Sequence, residues 1–414
     1  MKRMKDVKRP KVLMLTRLFP SREFPTLGTF CLERARALAP HVDLRVMVPT
    51  PWFPAQLPGP HEWRAWSRVE REGEPEPGVR ASYPRYLSVP KVATWSQGFA
   101  VARAAKAGLA AMGDGWVPDI VDGQFAFPDG YAAVALARSL GKPAVITCHG
   151  ADLRLYPTLR GTGTMLRWAL RHADRVVSVS TDLMKRSLAL GCDPQRAVFL
   201  TNGVDPVKFA VQDKSACRQR LGLPLDRPIG VYVGYLIDRK DQSLILRAQA
   251  EILRRGEQPP LVALVGDGPN RARLQQECEA LGLSEHVVFA GRQAHAAVAD
   301  WMGAADWLLL SSDYEGWATV YFEAMACGRP VLTSDVSSAK DAVCSPEYGQ
   351  VVEPRTAEAF ATAMQAAARQ RFDAARIRAY AEEHSWTHWS EQMLTVYEQV
   401  MLERGGTAAA ASPA

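Results

Sequence analysis

Two glutamates that lie eight positions apart are the residues of this chain whose spacing best suits chemistry. Glu315 is followed by Gly316, and Glu323 opens a Glu-Ala-Met-Ala-Cys-Gly run that precedes an apolar strand pattern. The residues between them predict a loop and then a helix start, where the amides of Thr319 and Val320 would point outward and hold an anion. The acceptor oxygens of Glu323, farther along this helix, suit paired sugar hydroxyls. The pattern therefore predicts a site for a sugar, a diphosphate and a ribose.

The same segment resembles a known enzyme family. Glu-x7-Glu followed by Glu-Ala-Met-Ala-x-Gly-x-Pro-Val is similar to the motif of the retaining glycosyltransferases of family 4, and the resemblance extends from about residue 11 to about residue 402. It implies an α/β fold of the GT-B architecture, with two facing Rossmann-like domains, a cleft between them and a C-terminal helix that crosses back to the N-terminal domain. It also implies that Glu315 holds the donor sugar and that Glu323 holds the ribose.

A loop in the second half resembles the family's V-G-R-L-x-x-x-K-G segment. Lys240 stands at the lysine position, which implies that its flexible ammonium group neutralises the donor diphosphate. The chain departs from the pattern at Tyr235, where many members have an arginine, and at Asp241, which replaces the usual glycine. We therefore expect either that neutralisation rests on Lys240 with help from Arg239, or that donor affinity is weak.

Three weaker motifs also match the family. Residues 264–269 match its V-G-D-G-P turn, and Arg271 stands where a dinucleotide-binding fingerprint would need its third glycine, which counts against a nicotinamide enzyme. Residues 289–292 match the place where the family's backbone reads the nucleobase, which implies a site role for Arg292. Gly28 precedes the first predicted helix, where the family has a glycine-rich loop and where glycine allows close backbone approach to a phosphate.

His149 is the candidate functional residue of the first half. It follows an apolar strand pattern in Thr-Cys-His-Gly-Ala-Asp, so it lies at the carboxyl edge of the predicted sheet, where ligands bind in such folds. The family has a similar H-G-x-D segment, which implies that a neutral imidazole contacts the donor sugar. Asp152 is predicted to cap the next helix, and a role in shaping the acceptor pocket is the alternative.

The composition excludes several classes of protein. A chain of 414 residues with 47% hydrophobic and 23% charged residues is typical of a soluble globular protein of two domains. No apolar run of about 18 residues occurs, so no membrane-spanning helix is predicted. A net charge of +6 does not indicate a nucleic-acid binder, and seven scattered cysteines without C-x-x-C indicate a reducing cytoplasm. No Asp-x-Asp or other metal spacing occurs, so we expect no dedicated metal and no cofactor.

Strand and helix patterns alternate along the chain, which predicts parallel sheets covered by helices. We predict an acceptor-side domain at 1–205, a donor domain at 206–385, a crossover helix at 386–403 and a disordered tail at 404–414. The tryptophan-rich segment 51–68 and the acidic segment 70–78 are predicted to be irregular insertions.

Together with these patterns, the resemblance implies a cytoplasmic, metal-independent glycosyltransferase of the hexosyltransferase type; retention at the anomeric carbon is implied by the resemblance alone. The donor would be a nucleotide-diphosphate sugar, with UDP expected ahead of GDP or ADP, and the acceptor a hydroxyl of a saccharide or a lipid-linked molecule in cell-surface polysaccharide or glycolipid synthesis. Two alternatives stay open. One is a nucleotide-sugar epimerase of the same architecture, and the other is a non-catalytic partner subunit, which the departure at Tyr235 makes conceivable.

Basic residues in the first half suggest a peripheral membrane contact. The N-terminus is basic, and Arg167, Arg171 and Arg175 recur every four residues, which predicts one helical face. Such a face would attract an anionic membrane surface. An ordinary solvated basic surface is the alternative.

Overall fold

The computed structural model describes residues 9–52, 61–87 and 96–410, which form two compact units. Unit one contains the described residues up to Thr201 together with those from Trp389 onward, and unit two is Asn202–His388. The change of unit at Asn202 comes just before the break predicted between residues 205 and 206.

Unit one is built on an eight-stranded sheet in the order β10-β9-β8-β7-β1-β2-β5-β4. Strand β1, near the centre of this sheet, is an apolar run whose residues are almost all buried. The edge strand β4 runs antiparallel to its neighbour β5, and the other strands of the sheet are parallel. A separate ribbon pairs β3 with β6. The strands are β1 (Lys11–Leu15), β2 (Asp43–Met47), β3 (Thr50–Trp52), β4 (Glu72–Glu76), β5 (Val79–Ser82), β6 (Arg85–Leu87), β7 (Ile120–Gln124), β8 (Ala144–Cys148), β9 (Arg175–Ser178) and β10 (Ala197–Phe199).

Helices follow most of these strands, as parallel connections require. The helices of this part of the chain are α1 (Thr29–Leu38), α2 (His61–Arg68), α3 (Gln97–Ala111), α4 (Tyr131–Leu140), α5 (Ala151–Leu155), α6 (Thr162–His172) and α7 (Thr181–Ala189). Their buried residues are largely apolar, with Arg34 of α1 and Asp152 of α5 as buried charged residues.

Unit two repeats this plan with a six-stranded parallel sheet in the order β13-β12-β11-β14-β15-β16. Its strands are β11 (Ile229–Val233), β12 (Leu261–Val265), β13 (Val287–Gly291), β14 (Trp307–Leu310), β15 (Val331–Ser334) and β16 (Gly349–Val352). Its helices are α8 (Lys214–Leu221), α9 (Gln242–Arg254), α10 (Arg271–Ala280), α11 (His295–Ala304), α12 (Val320–Ala326), α13 (Ala339–Ala342), α14 (Ala357–Arg369) and α15 (Ala374–Glu382).

The last helix, α16 (Trp386–Ala410), is longer than the predicted crossover helix. Trp389, Met393 and Tyr397 are buried at helical spacing and belong to unit one. The tail was predicted to be disordered from residue 404, whereas the structure continues α16 through 404–410, across Gly405 and Gly406. Residues 411–414 lie outside the described residues.

The insertions predicted to be irregular contain regular structure. Helix α2 lies in the tryptophan-rich segment, where Trp66 packs on Phe24 with ring centroids 4.2 Å apart. The acidic segment contains β4, which is polar and can still form a strand because it pairs with β5 at the exposed edge of the sheet. Residues 53–60 lie outside the described residues.

The three arginines predicted to share one helical face do not do so. Helix α6 ends at His172, and Arg175 begins β9, because the β-branched pair that follows it favours a strand. The Arg175 guanidinium donates to Glu403 of α16 over 3.0 Å. The basic face is therefore reduced to Arg167 and Arg171.

Candidate active site

The site residues of unit two come from loops that follow neighbouring strands. Strand β11 leads into the segment that contains Lys240, and β14 leads into the segment that contains Glu315. Because β11 and β14 are parallel neighbours, their carboxyl ends meet at one edge of the sheet. This is the edge at which ligands bind in doubly wound folds.

Glu315 lies at the centre of a compact charge cluster. Its side chain is 7% exposed, and one carboxylate oxygen accepts from the ammonium group of Lys240 and, over 2.7 Å, from the Ser312 hydroxyl. The other oxygen lies 3.3 Å from Nη1 of Arg239. The structure therefore brings three predicted site residues together, with two cations around one buried acid.

Asp241 is one of the two departures from the family pattern, and its own contacts accommodate it. Its φ is +42°, a left-handed conformation that glycine adopts freely and that aspartate tolerates better than most residues. Its carboxylate lies 2.5 Å from Arg355 and 3.7 Å from Arg247. The Ser311 hydroxyl donates to the Asp241 carbonyl over 2.7 Å. These contacts fix the turn that presents Lys240.

Tyr235, the second departure, adds no charge to this cluster. The residue is 53% exposed. Its carbonyl oxygen accepts from the Gln242 amide over 3.1 Å and from the Tyr232 hydroxyl over 3.3 Å. The backbone at this position is therefore held from inside the unit, while the side chain lies at the surface.

The helix predicted after Glu315 forms nearly where expected. It begins at Val320, and Thr319 is its N-cap without a side-chain capping bond. Gly316 and Glu323 are half-buried, and the Glu323 amide donates to the Thr319 carbonyl over 3.2 Å. Binding of an anion by this helix start and of a ribose by Glu323 stay predictions.

The glycine-rich turn after β12 lies against the turn after β11. Gly266 has a φ of +146°, and a Cβ there would lie 1.9 Å from the carbonyl oxygen of Gly234, so only glycine fits. Arg292 follows the edge strand β13 and is exposed. The structure places it at the same end of the sheet, separated from β11 by β12, and does not bring it into the charge cluster.

In unit one, His149 lies directly after β8. Its Nε2 lies 3.0 Å from Oε1 of Gln124, and its ring packs on Phe30 and Phe125 with centroid distances of 4.9 and 4.7 Å. Burial, and then the charge of Arg34, lower the pKa of His149 well below its usual value. This shift favours a neutral imidazole at physiological pH, and its contact with a donor sugar stays a prediction.

Asp152 is not the helix cap that the sequence predicted. The N-cap of α5 is Gly150, and Asp152 lies within the first turn. Its carboxylate turns back and accepts from the amides of Gly150 at 2.7 Å, Ala126 at 2.8 Å and His149 at 3.3 Å. This buried acid ties the segments after β7 and β8 together, because several backbone donors there need an acceptor.

Gly28 lies at the start of α1. It has a φ of +66°, and a Cβ there would lie 2.2 Å from the carbonyl oxygen of Leu18. Phe30, two residues later, contacts the ring of His149. Gly28 and His149, the two predicted site residues of unit one, therefore both lie near the first turn of α1.

Within the described ranges, no group of three or more His, Cys, Asp or Glu side chains is arranged to hold a metal ion. No helix of the described chain is long and apolar enough to cross a membrane.

Two family models match the chain. "Glycosyltransferase Family 4" matches residues 27–208, and "Glycosyl transferases group 1" matches residues 213–384. A protein assigned to teichuronic acid biosynthesis as the glycosyltransferase TuaC, from Bacillus subtilis (strain 168), is 30% identical over 360 residues, which are 86% of this chain and 88% of that protein. The D-inositol 3-phosphate glycosyltransferase of Rhodococcus erythropolis (strain PR4 / NBRC 100887) is 32% identical over 56% of this chain and 54% of that protein.

The fold is shared with solved structures. Sucrose-phosphate synthase from Thermosynechococcus elongatus superposes with a TM-score of 0.75 at 21% identity, over 96% of this chain and 100% of that chain. The structure of Anabaena Alr3699/HepE in complex with UDP-glucose gives a TM-score of 0.67 at 19% identity, over 94% and 99%. The two sheets, the family models and the relative that matches nearly end to end agree, and the chain belongs to glycosyltransferase family 4, with the GT-B fold.

Proposed function

We propose that this glycosyltransferase moves a hexose from a nucleotide-diphosphate sugar to a hydroxyl acceptor, with retention at the anomeric carbon and without a metal ion. The observation that carries the proposal is the cluster of Lys240, Arg239 and Glu315 at the carboxyl edge of the unit-two sheet. It combines cations for a diphosphate with an acceptor group for sugar hydroxyls.

The ion pair between Lys240 and Glu315 suits a site in which Lys240 leaves the carboxylate and binds the donor diphosphate. The two side chains are 14% and 7% exposed, so their attraction is only partly screened by water. A diphosphate carries more negative charge than one carboxylate and competes well for a flexible ammonium group. On binding, Lys240 turns to the diphosphate, and the Glu315 oxygens then accept from sugar hydroxyls.

Catalysis in this proposal is electrostatic. Lys240, with help from Arg239 and the amides near Thr319 and Val320, stabilises the charge that develops on the departing diphosphate. Glu323 holds the ribose. The neutral imidazole of His149 contacts the sugar and takes no part as an attacking base.

The donor and acceptor classes rest on the relatives. UDP is proposed as the nucleotide ahead of GDP or ADP; the Anabaena protein was solved with UDP-glucose, while a relative of 34% identity is named for GDP-mannose. One relative is assigned to teichuronic acid biosynthesis and others are named for D-inositol 3-phosphate, which supports a polysaccharide or glycolipid product. A lipid-linked acceptor at the cytoplasmic membrane face is part of the proposal, although the arginine pattern that suggested membrane contact is only partly retained.

Product analysis tests the proposal. The protein is incubated with UDP-hexoses and saccharide or lipid-linked acceptors, with and without a chelator, and the anomeric configuration of the product is read by NMR. A product with the donor's configuration, formed equally well in chelator, is the expected result. Inversion, or complete loss in chelator that a divalent ion restores, contradicts it. Interconversion of the nucleotide sugar without acceptor indicates an epimerase, and binding without turnover indicates a partner subunit.

A further inference from the structure

A chain of buried polar side chains lies behind His149 and leads to Arg34. The Arg34 side chain is fully buried, although it belongs to the first helix of the chain. One of its guanidinium nitrogens lies 3.2 Å from Oε1 of Gln124 and 3.2 Å from the hydroxyl of Thr147. Gln124 is also fully buried, and its Oε1 is the atom that meets Nε2 of His149 at 3.0 Å. One amide oxygen thus connects a buried cation to the candidate active-site imidazole.

This arrangement determines which way the Gln124 amide points. A guanidinium group has only N–H donors, so the atom that faces Arg34 must be an acceptor. A flipped amide would place NH2 against Arg34 in a buried donor–donor contact. The oxygen that accepts from Arg34 also faces His149, so Nε2 of His149 must carry a proton to donate to it. In a neutral ring the other nitrogen, Nδ1, is then an acceptor.

The C-terminal helix holds the cation in place. The Arg34 guanidinium lies 4.8 Å from the ring centroid of Trp389, within range of a cation–π interaction. The Tyr397 hydroxyl donates to Asp122 over 2.7 Å. Burial lowers the pKa of Arg34, and the charge of Asp122 acts against this shift. All of these residues belong to unit one. Helix α16 therefore completes the surroundings of Arg34.

The ring of His149 is also fixed sterically. It packs on Phe30 and Phe125, and Phe125 has a φ of +74°, a conformation that a bulky residue rarely adopts. Strained backbone of this kind persists where the surrounding structure determines it, and it clusters at functional sites. The ring orientation and the hydrogen bond to Gln124 are thus set by separate contacts.

We propose that Gln124 and Arg34 are positioning residues that hold His149 as its Nε2-protonated tautomer, so that Nδ1 accepts a hydrogen bond from a hydroxyl of the donor sugar. The sugar contact rests on the proposed function, whereas the tautomer does not. The hydrogen bond that one imidazole nitrogen makes to the protein decides which nitrogen is available to a ligand.

The tautomer of the wild-type protein is the first test. Histidine is labelled with ¹⁵N, the His149 signals are assigned by their loss in His149→Asn, and the protonated nitrogen is identified at neutral pH. We expect a neutral ring with the proton on Nε2 and slow exchange of that proton with water. A ring protonated mainly on Nδ1, an even mixture of both tautomers or a charged ring would overturn the proposal. None of these readouts requires activity.

Two variants test the positioning residues. Arg34→Met removes the donor that orients the Gln124 amide, so the Nδ1-protonated tautomer is expected to become populated. Gln124→Leu removes the acceptor, so the His149 N–H proton is expected to exchange rapidly with water. Gln195→Leu, at an exposed glutamine of unit one, is the matched control. If Arg34→Met does not fold, Gln124→Leu alone decides, and a proton that stays slow to exchange in it overturns the proposal.

Activity separates this inference from the proposed function. We expect Gln124→Leu to lower kcat for sugar transfer by roughly tenfold or more, because small misplacements of contacting groups are costly, and to leave UDP affinity unchanged. Unchanged kcat in Gln124→Leu, with wild-type transfer intact, refutes the positioning role. If the wild-type protein transfers no sugar, the proposed function fails, and with it the sugar contact, while the NMR result still decides the tautomer.

Discussion

The ammonium group of Lys240 donates to the carboxylate of Glu315, 75 residues away, so the residue expected to bind the diphosphate pairs with the one expected to bind the sugar. Arg239 approaches the same carboxylate at 3.3 Å from a more exposed position, with 44% of its side chain accessible. Glu315 therefore binds the cation that is proposed to hold the donor diphosphate. In the proposed function, the donor displaces this acid from Lys240.

Glu315→Gln is predicted to abolish transfer while leaving nucleoside diphosphate binding intact or stronger. The neutral amide keeps the shape of the side chain, and it no longer competes for Lys240. Calorimetric titration with UDP and a transfer assay measure the two effects. Wild-type transfer, or a large loss of UDP affinity, would show that Glu315 has a different role.

Glu323→Ala is predicted to weaken nucleotide binding itself. Loss of charge-assisted hydrogen bonds to a ribose costs about 1–3 kcal/mol. The same titration measures this loss, and Glu279→Ala, at an exposed glutamate of α10, is the control. Equal UDP affinities in the two variants would remove Glu323 from the site.

Asp241 is predicted to tolerate glycine better than alanine. Its left-handed φ of +42° suits glycine, whereas alanine pays about 1–2 kcal/mol for this conformation. Both variants lose the carboxylate that pairs with Arg355, so this loss cancels in the comparison. Denaturant unfolding of Asp241→Gly and Asp241→Ala gives the difference in free energy of unfolding. If the alanine variant is as stable as the glycine variant, the turn is not held as described.

The stability of the protein is predicted to fall in mild acid partly through His149. Its pKa is lowered in the folded state, so the unfolded chain takes up a proton below about pH 6.5 that the folded protein does not. Wild-type stability should fall as pH drops from 7 to 5, by up to about 1.4 kcal/mol per pH unit from this residue, and His149→Asn should lose this component.

Asp122 acts in the opposite sense: burial raises its pKa from 3.8 to about 6, so its contribution to the stability of the folded protein increases as pH falls from about 6 towards 3.8. The difference between wild type and variant therefore isolates His149. His41→Asn, at an exposed histidine of unit one, should follow the wild-type curve. A parallel pH profile for His149→Asn would contradict the lowered pKa.

The sequence predicted site residues best where an apolar strand pattern is followed directly by polar or charged residues of a loop. The strands that lead to Lys240, Glu315 and His149 were predicted from apolar runs, because burial on both faces leaves a strong signal. Arg175 was placed on a helix because four-residue spacing alone does not show where a helix ends. The Ala-rich segment after 403 was predicted to be disordered from its composition, and the helix that precedes it extends through it.

Residues that act through other residues left no signal in the sequence. Gln124 and Arg34 are 90 positions apart and meet only because β7 and α1 lie in the same unit. Asp152 was predicted to bond forward into its helix, whereas its carboxylate satisfies backbone donors of two separate segments. Long-range polar contacts of this kind depend on the packed fold and on no local pattern.

Binding of UDP to wild-type protein and to Lys240→Met, with Arg239→Met for comparison, tests the central claim most directly. We predict that wild-type protein binds UDP, that Lys240→Met binds it at least about tenfold more weakly because a charge-assisted contact is lost, and that Arg239→Met is affected less. Thermal unfolding of the unliganded variants shows whether each is folded. Equal UDP affinity in wild type and Lys240→Met, or a larger loss in Arg239→Met, would contradict the donor site described for this protein.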